Sequence, residues 1–346
     1  MGKNLFVLAV FVAMLTGCSK TETVEQAQGG AIGFTKAYIG NAVDSRAISV
    51  IDQSNISEFI VYGGYNDMEH VFNGVTVSGT AGADDWTYDV TRYWVPGKDY
   101  KFAAYAPSSV TGNGTVETDF ANGALNFKGY TSDPTHQNDL IYATATQKTN
   151  DPLVISPDKI QFRFGHLLSM VKFTFNSGFG NDIKVTVSNL NVSGMIADGD
   201  YTGSTQAWTP GSNTVSKGAA FTELASTEAI NRTSGNQSAS SYDFAVIPQT
   251  IVNSDAGVGT KVTVSFDVTV QDNLDNYIVG SEMAGVTITA TLPGYTWTAG
   301  NRYNYNVTIA GENVSLFPIE FGTPDVTPIT TDPDFSGNEE IILPEA

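Results

Sequence analysis

The sequence predicts an all-β protein built as two tandem β-sandwich domains, and three observations point there. Apolar and polar residues alternate with period two, most clearly at Val262, Val264, Phe266, Val268 and Val270, and at Val171, Phe173 and Phe175 around Lys172 and Thr174. That period places the apolar side chains on one face of a strand. The composition is 41% hydrophobic and only 15% charged, with 34 glycines and abundant Thr, Ser and Asn, a mix that suits strands and turns better than helices. Finally, Trp94-x-x-Gly97-x-x-Tyr100-x-Phe102 in the first half is echoed by Trp297-x-x-Gly300-x-x-Tyr303-x-Tyr305 in the second. The glycine permits the turn and the aromatics pack across neighbouring strands, so the same strand–turn–strand unit is expected once per domain. No long segment has helical period, so helices are expected to be short at most.

Residues 1–17 read as a secretory signal. Lys3 precedes an apolar run from Leu5 to Leu15, too short to span a bilayer, and then comes Leu15-Thr16-Gly17-Cys18. Leu-Thr-Gly-Cys resembles a bacterial lipobox, in which the cysteine is lipid-modified and becomes the first mature residue. Cys18 is the only cysteine, so no internal disulfide can form. Acyl chains there contribute about 0.8 kcal/mol per buried methylene and anchor stably when more than one is attached. Residues 18–30 are polar and aperiodic, a lipidated tether.

The first domain is expected over residues 31–157. Its first strand is Ala31–Ile39, with Ile32, Phe34 and Tyr38 on one face, Gly33, Thr35 and Ala37 on the other, and Lys36 as the exception. A loop from Gly40 ends at Arg46. Strands follow at Ala47–Ile51 and Phe59–Tyr62, the latter broken by Gly63-Gly64. Trp86, Tyr88 and Val90 alternate, Pro96-Gly97 turns, and Tyr100, Phe102, Ala104 and Ala106 alternate again. Asp139–Ala143 is a further strand. Pro152 and Pro157 mark the boundary, and the second domain runs over 158–313.

Gln161–Phe175 is the densest apolar run in the body of the chain. Phe162 and Phe164 are out of phase with Val171, Phe173 and Phe175, so a bulge or break must lie within Gly165–Met170. The stretch reads as the opening strand of the second domain. Strands are expected at Ile183–Val187, Tyr242–Ile247, Val262–Val270, Val286–Leu292 and Tyr303–Ile309, and a long loop at Asp198–Ala220. Residues 314–346 form a tail.

A net charge of −19 excludes nucleic acid and docking on anionic lipid, both of which need basic patches. His70, His136 and His166 are scattered, and no zinc, redox, nucleophile-elbow or phosphate-loop motif is found. The protein is therefore read as non-enzymatic, with no cofactor. Asp84-Asp85 and Asp272–Asp275 lack EF-hand spacing and read as solvated turns. His166 reads as a buried histidine satisfying backbone groups at the break. Tyr62, Tyr65, Trp86, Trp94 and Trp208 are candidates for a sugar platform, Trp208 foremost because it sits in a polar stretch.

Taken in order, Trp94-Val-Pro-Gly97, Tyr100, Phe102-Ala-Ala-Tyr105-Ala-Pro107, Asp139-Leu-Ile-Tyr142-Ala, Phe162-x-Phe164-x-His166-x-Leu168-Ser169-x-Val171, Val246-Ile-Pro248-Gln249 and Trp297-x-x-Gly300-x-x-Tyr303, behind a lipobox, resemble the fimbrillin family of Bacteroidetes. The resemblance covers most of the mature chain. It implies transthyretin-like β-sandwiches and a structural type V pilus subunit with a role in adhesion. The precursor would be anchored on the outer membrane by lipid on Cys18, and would later become part of a cell-surface fimbrium. It also implies that an arginine-specific, trypsin-like protease cuts between Arg46 and Ala47 and releases the strand carrying Ile32, Phe34 and Tyr38. A strand from another fimbrial subunit then fills the groove. The candidate donor here is the tail around Ile341, Ile342 and Leu343, although Pro324, Pro328 and Pro333 make the tail a poor strand along most of its length. Stalk, tip and accessory positions stay open, as does a host or bacterial surface ligand. The competing reading is a surface lipoprotein that binds glycan and never polymerises.

Overall fold

The structure is a computed structural model that describes residues 30–42, 50–66, 69–132, 138–149, 157–216, 229–230, 238–241, 243–254, 258–311 and 319–331. Its architecture is all-β, with one short 3-10 turn at Ser108–Gly112. The first half holds β1 (Phe34–Tyr38), β2 (Asn41–Ala42), β3 (Glu58–Tyr65), β4 (Glu69–Ser78), β5 (Asp99–Ala106), β6 (Thr115–Asp119), β7 (Ala124–Thr131), β8 (Ile141–Lys148) and β9 (Ile160–Arg163). Then come β10 (Gly165–His166), β11 (Ser169–Ser177), β12 (Lys184–Ile196), β13 (Asp198–Thr202) and β14 (Ala207–Pro210).

A five-stranded sheet in the order β10-β8-β5-β3-β4 is the centre of the first half. Both faces are buried along β3, β5 and the start of β8, whereas β4 and the end of β8 are solvated on one face. Phe59, Val61, Tyr100, Phe102, Ala104, Ile141 and Ala143 face a core shared with β1 and β9. Ile60, Ala103, Tyr105 and Tyr142 face a second core, formed with the sheet β14-β13-β7-β6 through Leu125, Phe127, Tyr130 and Tyr201. Two buried faces explain why β5 reads as a nearly continuous apolar run, Phe102 to Ala106, instead of a clean alternation.

Gly63 and Gly64 do not break β3, which runs on to Tyr65. A Cβ on Gly63 would stand 2.5 Å from the Phe102 ring and 2.7 Å from the Lys101 carbonyl, so this glycine lets two strands approach. The alternation at Trp86–Val90 forms only isolated bridges, and Val90 is exposed. Asp198–Ala220, expected as a loop, instead supplies β13 and β14, which extend the sheet of β6 and β7. Polar threonines and a glycine hide those strands in the sequence, because one of their faces is solvated.

The second half is a sandwich. In one sheet β11 pairs in parallel with Asn301–Ile309 from Met170 to Ser177, and antiparallel with Phe244–Val246. In the other, β12 pairs with Thr263–Gln271, which pairs with Val286–Thr291. Val171, Phe173 and Phe175 interdigitate with Val185, Val187, Val264 and Phe266 between them.

The break expected within Gly165–Met170 is the crossing point between cores. Ile160, Phe162 and Phe164 belong to the first core, whereas Val171, Phe173 and Phe175 belong to the core between the two sheets of the second half. Ile160–Arg163 pair with β1 and so contribute to the first core.

The internal echo is structural. Gly97 and Gly300 take φ of 73° and 75°. The Val95 N–H donates to the Tyr100 hydroxyl at 2.8 Å, and the Thr298 N–H donates to the Tyr303 hydroxyl at 2.7 Å. Trp94, Tyr100, Trp297 and Tyr303 are all buried. Each domain thus clamps its turn with the same tyrosine.

Arg302 is buried on Asn301–Ile309 and donates from Nε to both carboxylate oxygens of buried Asp243 at 3.0 Å. Removing one partner leaves a buried charge behind, a loss of about 3–5 kcal/mol. Asp243→Ala should therefore lower stability by about that much in urea denaturation. Asp243→Ala with Arg302→Met should recover most of the loss; an unchanged midpoint for the single variant would contradict this.

Candidate functional site

The site is the seat of β1. Ile32, Phe34, Ala37 and Ile39 point into the first core, each at most 5% exposed. Phe34 is its hub. Its ring meets Phe59, Phe72, Tyr88 and Phe102 edge-on at centroid distances of 6.0, 5.3, 5.8 and 6.3 Å, and stacks on Phe162 at 5.9 Å. Such pairs add about 0.5–1.5 kcal/mol each beyond area burial.

Tyr38 was expected on the same face as Ile32 and Phe34, and the structure corrects this. A bulge lies between Thr35 and Tyr38, with Lys36 in the left-handed region at φ 35°. The extra residue flips the phase, so Ala37 and Ile39 turn into the first core and Tyr38 turns to the opposite face, where it is half-buried. There its ring lies under the Arg163 guanidinium, 5.2 Å from centroid to carbon. Lys36 is the bulge residue, which is why it breaks the alternation.

The backbone of β1 is bonded on both edges. On one edge it runs parallel to β9, pairing Phe34 with Ile160, Thr35 with Gln161 and Tyr38 with Arg163. On the other, Ile32 N–H donates to the Arg92 carbonyl at 2.8 Å and Lys36 N–H to the Ala83 carbonyl at 3.0 Å. Past the bulge the Gln53 side chain replaces a strand: its Nε2 donates to the Ala37 carbonyl and its Oε1 accepts from the Ile39 N–H, both at 3.0 Å. The Tyr88 hydroxyl donates to the Ile32 carbonyl at 2.5 Å. Burial raises the Tyr88 pKa, against smaller opposing effects of the Arg92 N–H and charge.

The acidic pairs found in the sequence serve loops. Asp84 pairs with Lys36 at 3.2 Å, and Asp85 pairs with Lys159 beside β9. These exposed pairs add little stability. Asp272 caps its own turn, accepting from the N–H groups of Leu274 and Asn276.

After β1 the chain passes through β2, which pairs antiparallel with Thr330–Thr331, and the Thr330 hydroxyl donates to the Ile39 carbonyl at 3.1 Å. Arg46 and Ala47 lie outside the described residues, as do Cys18, Ile341, Ile342 and Leu343. The chain is next described at Val50, which is buried. Ile51 N–H donates to Asp139 Oδ2 at 2.8 Å, and His166 Nδ1 lies 3.0 Å from the same oxygen. His166 therefore partners a buried carboxylate and not the backbone groups expected of it. The pair ties the start of β3's approach to the crossing between domains.

The aromatic residues considered for a sugar platform are packed. Trp86 and Trp94 are buried. Tyr62 stacks on Tyr105, and Tyr65 meets Tyr100 edge-on. Trp208 stands on β14 against Tyr130 and Tyr201, and its Nε1–H donates to the Leu167 carbonyl at 2.6 Å. Gln53, Tyr88 and Arg163 carry no local signal in the sequence, because they act only through contacts distant along the chain. The phase change from Ile32 and Phe34 to Ala37 and Ile39 was the one local signal of the bulge.

The family model described as Fimbrillin-like matches residues 35–320. The crystal structure of a fimbrial protein from Bacteroides vulgatus is 18% identical, with a TM-score of 0.56, covering 87% of this chain and 99% of that one. A candidate cell adhesion protein from Bacteroides ovatus is 15% identical, with a TM-score of 0.51, covering 88% and 99%. At these identities the likeness is one of fold. A search among curated proteins finds no match.

Phe34→Ala should destabilise the intact chain by about 3–5 kcal/mol, measured by urea denaturation, because the five surrounding rings cannot collapse onto a methyl group. A loss below about 1 kcal/mol would show that β1 is not integral to the core. The raised Tyr88 pKa means folding favours its protonated form. Its contribution is complete below the unfolded tyrosine value near 10 and is lost as pH rises through the higher folded value. The alkaline fall in thermal midpoint should be smaller for Tyr88→Phe than for the parent chain.

Proposed function

The chain belongs to the fimbrillin-like family, and from that premise we propose that it is a structural fimbrial subunit assembled by donor-strand exchange. It is exported as a lipoprotein precursor, held at the outer membrane through Cys18, and cut after Arg46 by an arginine-specific protease. It has no catalytic role and works in adhesion at the cell surface.

One observation carries this reading. β1 supplies the hub of the first core, yet it is the first described strand and joins the rest of the chain only through residues 43–49, which contain Arg46. Cutting there would release β1 together with β2, which gives up its short pairing with Thr330–Thr331, and would sever no other strand of the sheets. The vacated seat would offer the unpaired edge of β9 and an apolar trough, the features that accept an added strand. The other arginines in the described residues are held in place. Arg92 Nε donates to the Val71 carbonyl at 2.6 Å and its guanidinium lies over Phe72, Arg163 sits in the β9 ladder, and Arg302 is buried. Arg232, like Arg46, lies outside the described residues.

The test is digestion of the full chain with an arginine-specific protease, followed by N-terminal sequencing and electrophoresis without heating. A new N-terminus at Ala47 and heat-sensitive oligomer ladders are expected, both lost in Arg46→Ala. Cleavage only at Arg232, or a cut chain that stays monomeric, would overturn the proposal.

A further inference from the structure

Resting on that reading, we propose that the seat of β1 selects its strand by a defined pattern. The strand it takes comes from a different subunit and not from the tail of a second copy of this chain. The pattern is aliphatic, any, aromatic, any, a residue that tolerates a left-handed backbone, small, aromatic, aliphatic. In β1 and its flanks it is Ile32-x-Phe34-x-Lys36-Ala37-Tyr38-Ile39.

Each position has a physical cause. The box of five rings around Phe34 is filled by an aromatic side chain. The bulge needs a residue at φ 35°, which glycine and asparagine adopt most readily. Ala37 is 1% exposed within the core, so a larger side chain there overpacks it. Outward from the bulge, Arg163 offers its guanidinium face to the ring of Tyr38, a contact only an aromatic can make at that register. Arg163 is thus a specificity-determining residue on the rim.

The tail Asp332–Ala346 cannot satisfy the pattern in any register. With Phe335 in the place of Phe34, Gly337 meets the bulge and Glu339 meets Arg163. Asn338 and Glu340 then occupy the buried positions of Ala37 and Ile39, and a buried unpaired carboxylate is costly. With Leu343 in the place of Phe34, Ile341 and Ala346 fit. Pro344, which has no N–H to donate, then takes Thr35's place in the ladder with β9, and the ring box receives no ring. Placing Ile341 or Ile342 in the ring box puts Glu339 or Glu340 at the position of Ile32.

The test uses chain cut at Arg46 and separated from its N-terminal fragment, with labelled peptides followed by fluorescence anisotropy. A peptide of residues 30–42 should bind. Ala37→Leu in that peptide should weaken binding about tenfold. Tyr38→Ala should weaken it about threefold, Arg163→Ala in the protein should do the same, and the two together should cost no more than either alone. A peptide of residues 332–346 should bind at least about a hundredfold more weakly. Equal binding of the tail peptide, or indifference to Ala37→Leu, would overturn the selection proposal while leaving strand exchange standing. Failure of the protease to release residues 30–42 would overturn strand exchange alone. In that case the same three substitutions in the intact chain, read by urea midpoint, decide the pattern: an unaltered midpoint for Ala37→Leu, or no coupling between Tyr38 and Arg163, refutes it.

Discussion

The ring of Phe34 is the contact on which the first half of the molecule depends. It draws together β3, β4, β5, β9 and the segment carrying Tyr88, and no other described side chain there meets five aromatic rings at once. Aromatic packing is strong here because each ring is buried and most neighbours present an edge to a face. The consequence is an unusual concentration of core energy in a strand near the beginning of the described chain. A core arranged in this way has its most important side chain on its most separable element.

What keeps such an arrangement ordered is the central sheet. β3, β4, β5 and β8 pair with one another and do not need β1 for their own ladders. The opposite face of β3, β5 and the start of β8 is covered by the layer of β6, β7, β13 and β14. The floor of the seat is therefore held from behind. Losing β1 would expose apolar side chains and the edge of β9, while the pairing beneath remains. This is the physical condition for a groove that waits for another strand and does not collapse.

Polar contacts set the geometry at the margins. Gln53 ends the run of β1 by bonding backbone groups that a bulge has left without a strand partner. Asp139 holds Ile51 and His166 together, so the chain emerging after residues 43–49 is fixed to the crossing between the two cores. In the second half, Arg302 and Asp243 perform a comparable service inside the sheet. Buried groups of this kind are satisfied in specific pairs because an unpaired one is expensive, and that expense specifies one register.

The class of fold, the strands with clean alternation such as Thr263–Gln271, the repeated tyrosine-clamped turn, the break after Phe164 and the inward roles of Ile32 and Phe34 are all written in the sequence alone. These are legible because period two, turn glycines and aromatic spacing are local properties of the chain. The sequence did not show that β5 and β3 are buried on both faces, that Gly63 serves a close approach, or that Thr- and Gly-rich residues 198–210 form strands. Nor did it show that Tyr38 faces outward onto Arg163, because one left-handed residue at Lys36 reverses every later side chain. Those features were decided only by the tertiary structure. Each depends on a partner far along the chain, Phe102 for Gly63 and Arg163 for Tyr38, and pairing between distant segments leaves no periodic trace in either one.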